Sequence, residues 1–190
     1  EGTQNRGTGG TSEELHCTKC PKGKFAESGG TVDCDECAKG KYSDATGRSS
    51  RLDCQNCIAG QYAPKAGAHG CDACPAGQYN DEGADTASPS CKLCAAGRYN
   101  THEGRATEGY CYFCKCGQWS MIGSTVCAHC PTGHFRPCPD DADKCDGGSA
   151  GNTCVAANAG HSATQGSCAQ TECGPGTCAD SACQGVCNAC

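Results

Sequence analysis

Twenty-four of the 190 residues are cysteine, about 13%, whereas Leu, Ile, Val and Phe together number only 12, about 6%. Below roughly 20% of those four side chains, a chain cannot bury enough apolar surface to offset its conformational entropy. A conventional core is therefore excluded. A cysteine content above about 8–10% marks a disulfide scaffold, and the even count lets every thiol pair. Covalent loop closure must take the place of the core. Loops of about 12–16 residues would each gain roughly 3 kcal/mol from closure in the chain-entropy model. Such bonds persist in oxidising surroundings, which places the protein outside the cell, secreted or at the cell surface.

The cysteines are periodic. CxxC pairs fall at Cys17/Cys20, Cys34/Cys37, Cys54/Cys57, Cys71/Cys74, Cys91/Cys94, Cys111/Cys114 and Cys127/Cys130. Each is followed by x2-G-x-aromatic: Gly23/Phe25, Gly40/Tyr42, Gly60/Tyr62, Gly77/Tyr79, Gly97/Tyr99, Gly117/Trp119 and Gly133/Phe135. Fixed-period self-similarity of this kind is the signature of a repeat architecture. A second glycine follows the aromatic by four or five residues at Gly30, Gly47, Gly67, Gly83, Gly104 and Gly123. Each repeat is expected to be a short extended segment carrying the aromatic, a reversal at the second glycine where φ > 0 is needed, and a return strand to the next cysteine. With so few large apolar residues elsewhere, the aromatic is expected to be the miniature core of its repeat; the alternative is a surface of exposed binding aromatics.

Three regions follow: a polar Gly/Thr-rich tail or linker over 1–16, seven tandem repeats over 17–137, and a divergent cysteine-rich region over 138–190 that ends in CxxC. The last region has no Phe, Tyr or Trp, but it keeps glycine-rich reversals, with His161 where an aromatic would stand.

The unit C-x2-C-x2-G-x-[YF]-x4–5-G-x4–8-C-x2-C resembles the ephrin-receptor-like cysteine-rich repeat. It is loosely similar to tumour-necrosis-factor-receptor modules and to protist and algal surface and appendage proteins. The resemblance implies a small disulfide-rich fold, an elongated rod of tandem repeats with short β-hairpins and little or no helix; it does not imply catalysis. It also implies that the second Cys of each pair bonds the first of the next: Cys20–Cys34, Cys37–Cys54, Cys57–Cys71, Cys74–Cys91, Cys94–Cys111 and Cys114–Cys127. The rival is crossed pairing, Cys17–Cys34 with Cys20–Cys37, as in the tumour-necrosis-factor-receptor modules. Cys116 departs from the pattern and is expected to pair with Cys138 or Cys130. Cys17 and Cys190 have no ladder partner inside the sequence, so they are expected either to mark a segment of a longer array or to be inter-subunit ends joining head to tail.

Charge narrows the partners. Residues 1–137 carry 14 Lys+Arg and 15 Asp+Glu, whereas 138–190 carry one Lys and six acids. No basic patch recommends nucleic acid, and no apolar run suits membrane insertion. Zinc-ribbon spacing is the metal rival for the CxxC pairs. Asp140, Asp141, Asp143 and Asp146 lie near a glycine in a segment that calcium could use, but they miss the EF-hand spacing. Neither metal is expected, nor any cofactor. The six histidines share no spacing, and paired cysteines offer no nucleophile. The expected role is therefore a self-associating structural subunit of an extracellular filament, appendage or surface coat, with a receptor or adhesin ectodomain as the alternative.

Overall fold

The structure, a computed structural model, describes residues 3–5, 17–28, 33–82, 90–137, 153–174, 177–178 and 188–189. Among them regular structure is almost entirely two-stranded antiparallel sheet, and the helix content is two three-residue 3-10 turns, Arg51–Asp53 and Glu108–Tyr110. The first turn follows from its sequence. Ser50 Oγ accepts from the Leu52 amide at 3.1 Å and Asp53 Oδ2 accepts from the Ser50 amide at 3.1 Å, a reciprocal cap.

Each hairpin is built from a motif that turns twice. Residues 21–24 form the first turn, with the Lys24 amide bonded to Pro21 O at 3.2 Å, and 58–61 and 95–98 repeat it at 3.0 and 3.1 Å. A type II turn needs φ near +80° at its third residue, and Gly23, Gly60 and Gly97 supply +79°, +82° and +80°. The following dipeptide is a strand, and its partner is the dipeptide inside the next CxxC: Lys24–Phe25 pairs with Asp35–Glu36, Lys41–Tyr42 with Gln55–Asn56, and Arg98–Tyr99 with Tyr112–Phe113. The CxxC spacer is thus itself a strand. The sequence reading assigned left-handed backbone to the second glycine only. Gly47, Gly67, Gly104, Gly123 and Gly166 do adopt it, but so does the first glycine of every described repeat; Gly30 and Gly83 lie outside the described residues.

The aromatics Phe25, Tyr42, Tyr62, Tyr79, Tyr99, Trp119 and Phe135 are half-buried, and none is a core residue. This corrects the expectation of an aromatic miniature core. Successive side chains on a strand face opposite ways, and it is the residue after each aromatic that is enclosed: Ala26, Ser43, Ala63, Asn80, Asn100, Ser120 and Arg136 are all at most 4% exposed. Only a small or hydrogen-bonding group fits there, because backbone surrounds the position. Asn80 Nδ2 donates to Gln61 O at 2.7 Å, Asn100 Nδ2 to Gln78 O at 3.0 Å and Ser120 Oγ to Arg98 O at 2.9 Å, each reaching the strand of the preceding repeat. The Arg136 guanidinium bonds Gln118 O in the same way. Its burial pushes the guanidinium pKa down from its ordinary value.

Backbone bonds join each repeat to the next. Gly23 donates to Ser43 O at 2.8 Å, Gly60 to Asn80 O at 2.9 Å, Gly77 to Asn100 O at 2.7 Å and Gly133 to Ala163 O at 2.7 Å. The carbonyl of the same glycine accepts from the next repeat, for instance Gly60 O from the Cys74 amide at 2.9 Å. Contacts divide the chain into two compact bodies, residues 1–75, 79–92 and 103–108 in one and 76–78, 93–102 and 109–190 in the other; every bond just named lies within a single body.

Two segments depart from the sequence reading at the ends. Thr3–Asn5, inside the polar segment 1–16, is a strand paired with Cys17–Lys19, in the register Thr3↔Lys19 and Asn5↔Cys17. In the divergent region, His161–Ser162 pairs with Thr171–Glu172, so Ser162, not His161, takes the aromatic position. There Ala157 occupies the site of a second cysteine, since its amide bonds Gly133 O at 2.8 Å as the Cys130 amide bonds Gly117 O. The partner position is Gln170, whose Oε1 accepts from the Asn158 amide at 2.8 Å. Both halves of that rung have been replaced together.

A glycine contact provides a matched test. A Cβ on Gly77 would lie 2.1 Å from Gly123 O, whereas one on Gly160, at nearly the same φ, would meet nothing within 4 Å. Gly160→Ala should cost about 1–2 kcal/mol, the strain of the left-handed backbone alone. Gly77→Ala should cost several kcal/mol more or fail to fold, as read from urea melts under non-reducing conditions.

Candidate functional site

The second cysteine of each pair is followed by the glycine turn, and it bonds the first cysteine of the next pair. The structure joins Cys20 to Cys34, Cys37 to Cys54, Cys57 to Cys71, Cys74 to Cys91, Cys94 to Cys111 and Cys114 to Cys127, with Cα separations of 5.6–5.8 Å. Cys130 continues the series to Cys154, and Cys173 is disulfide-bonded as well. A sulfur held in a disulfide is no thiolate, so these residues offer neither zinc ligands nor nucleophiles. Cys17 lies in its strand opposite Asn5, and Cys190 lies outside the described residues.

Cys116 pairs with Cys168, 52 residues away, rather than with Cys138 or Cys130. The reason is the packing of alternate repeats. A Cβ on Gly117 would lie within 2 Å of Gly166 O, so the turn holding Cys116 abuts the loop holding Cys168, two repeats further on. The signal was present in the sequence, since Cys168 stands two residues beyond a second-type glycine, Gly166. Cys130 was unavailable because the ladder uses it; Cys138 lies outside the described residues.

The histidines do not form a centre. His102 Nδ1 contacts Thr101 Oγ1 at 2.7 Å, His129 Nε2 contacts Gln118 Nε2 at 3.5 Å, and His161 Nδ1 contacts Ala159 O at 3.3 Å. His134 Nδ1 is buried without a hydrogen-bond partner; His16 lies outside the described residues. Among the described residues no group of three or more His, Cys, Asp or Glu could hold a metal. Asp140, Asp141, Asp143 and Asp146 lie outside the described residues. Lys92 contacts Asp81 at 2.6 Å, and this hydrogen bond holds the Asp81 carboxyl below its usual range and lifts the lysine.

One part of the surface differs from its counterparts. In most CxxC pairs the inner dipeptide is polar or small, as in Asp35–Glu36, Gln55–Asn56 and Asp72–Ala73. Between Cys111 and Cys114 it is Tyr112–Phe113. Tyr112 stacks obliquely on Tyr99 with ring centroids 6.1 Å apart, and the Arg98 guanidinium sits 4.0 Å over Phe113. The loop after Trp119 brings Met121, Ile122 and Val126, which are 65%, 63% and 64% exposed. Tyr99, Phe113, Lys115, Gln118, Val126 and Cys127 line a shallow hollow of about 360 Å³. Sequence reading treated all repeats as alike and missed this face; the visible signal was the aromatic dipeptide itself.

A family model described as "tyrosine-protein kinase ephrin type A/B receptor-like" matches residues 7–54, about a quarter of the chain. No curated protein matches the sequence. Beyond the matched stretch the disulfide ladder continues in the structure to Cys154 and the glycine backbone bonds to Cys173. The many disulfides and the receptor-like family together point to a cysteine-rich extracellular module. No described helix is long and apolar enough to cross a membrane.

The exposure of the bridged residues sets an order of reduction among the described disulfides. Each ladder bridge contains one cysteine that is at most 2% exposed, whereas Cys168 is exposed and Cys116 half-buried. An external thiolate must reach a sulfur to exchange. Limited treatment with a small thiol followed by alkylation should therefore label Cys116 and Cys168 before the ladder cysteines between Cys20 and Cys154, as read by peptide mass spectrometry. Earlier labelling of Cys20 or Cys74 would refute that order.

Proposed function

We propose that the protein is a structural subunit of an extracellular filament, appendage or surface coat, and that copies of the chain associate with one another. The supporting observation is how the repeats are held: a ladder of disulfides that closes successive hairpins from Cys20 to Cys154, and the recurring backbone bonds from each first glycine to the next repeat. A module so built owes its persistence to covalent closure and main-chain bonding rather than to a core that a protease could open. Arrays of this type also place their neighbour-to-neighbour contacts at regular intervals, which suits an assembly. No catalytic role or cofactor is part of the proposal.

A ligand-binding ectodomain is the second reading. It is favoured by the single divergent face around Tyr112 and Met121, since a receptor needs one repeat that differs from the others.

Sedimentation velocity on the full chain in non-reducing buffer, over about a hundredfold range of concentration, separates the two. The structural reading expects a weight-average mass that climbs with concentration, with regular assemblies in electron micrographs. A monomer at every concentration would sink it and favour the ectodomain.

A further inference from the structure

We infer that Tyr99 and Tyr112 are a site of oxidative modification, at which a one-electron oxidant joins the two phenol rings by a carbon–carbon bond within a single chain. The inference does not depend on self-association, and both residues lie in one compact body of the chain.

The first argument is the pairing across the strands. Each repeat aromatic stands opposite a residue of the next repeat: Phe25 opposite Asp35, Tyr42 opposite Gln55, Tyr62 opposite Asp72, Trp119 opposite Ala128 and Phe135 opposite Val155. Among the described strand pairs only Tyr99 meets a second aromatic, Tyr112. Residues directly opposite on one face have Cβ atoms about 4.5–5.5 Å apart, and here the ring centroids are 6.1 Å apart with the planes at 52°. Asp, Gln, Ala and Val serve at the same position elsewhere, so the second phenol is not a requirement of the hairpin.

The second argument is that the backbone holds the pair while solvent reaches it. Cys111, next to Tyr112, is bridged to Cys94, and the Cys114 amide bonds Gly97 O at 2.9 Å. The Arg98 amide bonds Ala95 O at 3.1 Å. Both strands are thus anchored by groups other than the tyrosine rings, which makes the encounter of the rings intramolecular and oriented. Tyr112 is 48% exposed and meets a soluble oxidant. The neighbouring cysteines Cys94, Cys111 and Cys114 are held in disulfides, so they offer no thiolate to consume a radical.

The oxidant is hydrogen peroxide acting through a haem peroxidase. Tyr112 gives up one electron and one proton and becomes a phenoxyl radical. Exchange with the neighbouring phenol passes the radical to Tyr99, and a second oxidation restores it on Tyr112. The two radicals form one bond between ring carbons ortho to oxygen, and the hydrogen on each of those carbons moves to its oxygen. The two electrons and two protons reduce one peroxide to two waters, and the chain loses two hydrogen atoms. The bond draws the rings closer together, a motion that an exposed side chain makes within nanoseconds. Unlike the adjacent Cys94–Cys111 bridge, the new bond does not exchange with thiols, so it keeps the hairpin closed when that disulfide is reduced.

The experiment treats the full chain, disulfides intact, with a haem peroxidase and hydrogen peroxide. Intact mass should show a monomer lighter by two hydrogen atoms, with the fluorescence of a biphenol. After reduction, alkylation and trypsin, peptides 99–105 and 106–115 should be found joined. The joined fraction should stay constant over about a tenfold dilution, as an intramolecular step requires. Tyr99→Phe and Tyr112→Phe keep the ring and should each lower that fraction by about tenfold or more. Tyr62→Phe and Tyr110→Phe should leave it unchanged, and matching urea melts for the four variants would show that folding is not the cause. If coupling occurs only between chains, falls with dilution or uses Tyr110 in place of Tyr112, the inference fails. It fails equally if Tyr99 and Tyr112 stay intact while Met121, 65% exposed, is oxidised. None of these outcomes bears on the structural reading, which sedimentation tests separately.

Discussion

Backbone meeting backbone at a glycine is the constraint on which the other features depend. Gly23 faces Gly67, Gly60 faces Gly104, Gly77 faces Gly123 and Gly117 faces Gly166, and in each pair a Cβ on the first residue would fall less than 3 Å from the carbonyl of the second. The turn therefore requires glycine for two separate reasons, its left-handed φ and the absence of room. Because the main chains come so close, hydrogen bonds can run between repeats where side-chain packing would run in an ordinary domain. Each glycine donates through its amide and accepts through its carbonyl, so the polar groups of this enclosed turn are satisfied without a core.

The disulfides then hold what the hydrogen bonds position. Where the ladder loses a rung, it loses both halves: Ala157 sits in the cysteine site, 1% exposed, and Gln170 bonds the neighbouring amide. A single replacement would have left a buried unpaired thiol. In the same stretch an additional bridge, Cys116–Cys168, ties two alternate repeats together. Closing a loop of 52 residues removes more denatured-state entropy than closing one of 14 to 17, by about 1 kcal/mol in the chain-entropy model. In that model the extra bridge thus more than offsets the missing rung at the point where the aromatics also disappear.

Much of this was legible in the sequence because cysteine and glycine act through the backbone, and their spacing survives translation into geometry. The period, the hairpins and the left-handed second glycine follow from positions of those two residue types, whereas the ladder partners came from the family resemblance that those positions carry. What was not legible depends on contacts between repeats. The enclosed position after each aromatic holds Ala, Ser, Asn and Arg in different repeats, and no hydrophobic pattern marks it; Asn80 and Asn100 are buried because a carbonyl of the preceding repeat awaits them. Cys116 was assigned the wrong partner because its turn touches the second repeat along, a relation that adjacency in sequence hides. The strand Thr3–Asn5 carries no cysteine and no aromatic, so only its register against Cys17–Lys19 reveals it.

The same division of labour explains how one repeat can diverge without disturbing the others. Stability in each hairpin comes from the glycine turn, the enclosed small residue and the rung, none of which involves the outward side chains of the CxxC dipeptide or the loop tip. Asp35–Glu36 and Tyr112–Phe113 occupy equivalent strands with the same two-residue pairing. Exchanging a charged pair for an aromatic pair therefore leaves the backbone bonds of the repeat unchanged and alters only what the surface offers to a neighbour. In a chain whose fold asks almost nothing of its large apolar residues, those that are present and exposed are free to serve recognition. Met121, Ile122 and Val126 stand in a loop whose tip is fixed from behind by the Gly123–Cys94 backbone bond at 2.8 Å, so the face they present is held in place by groups other than themselves.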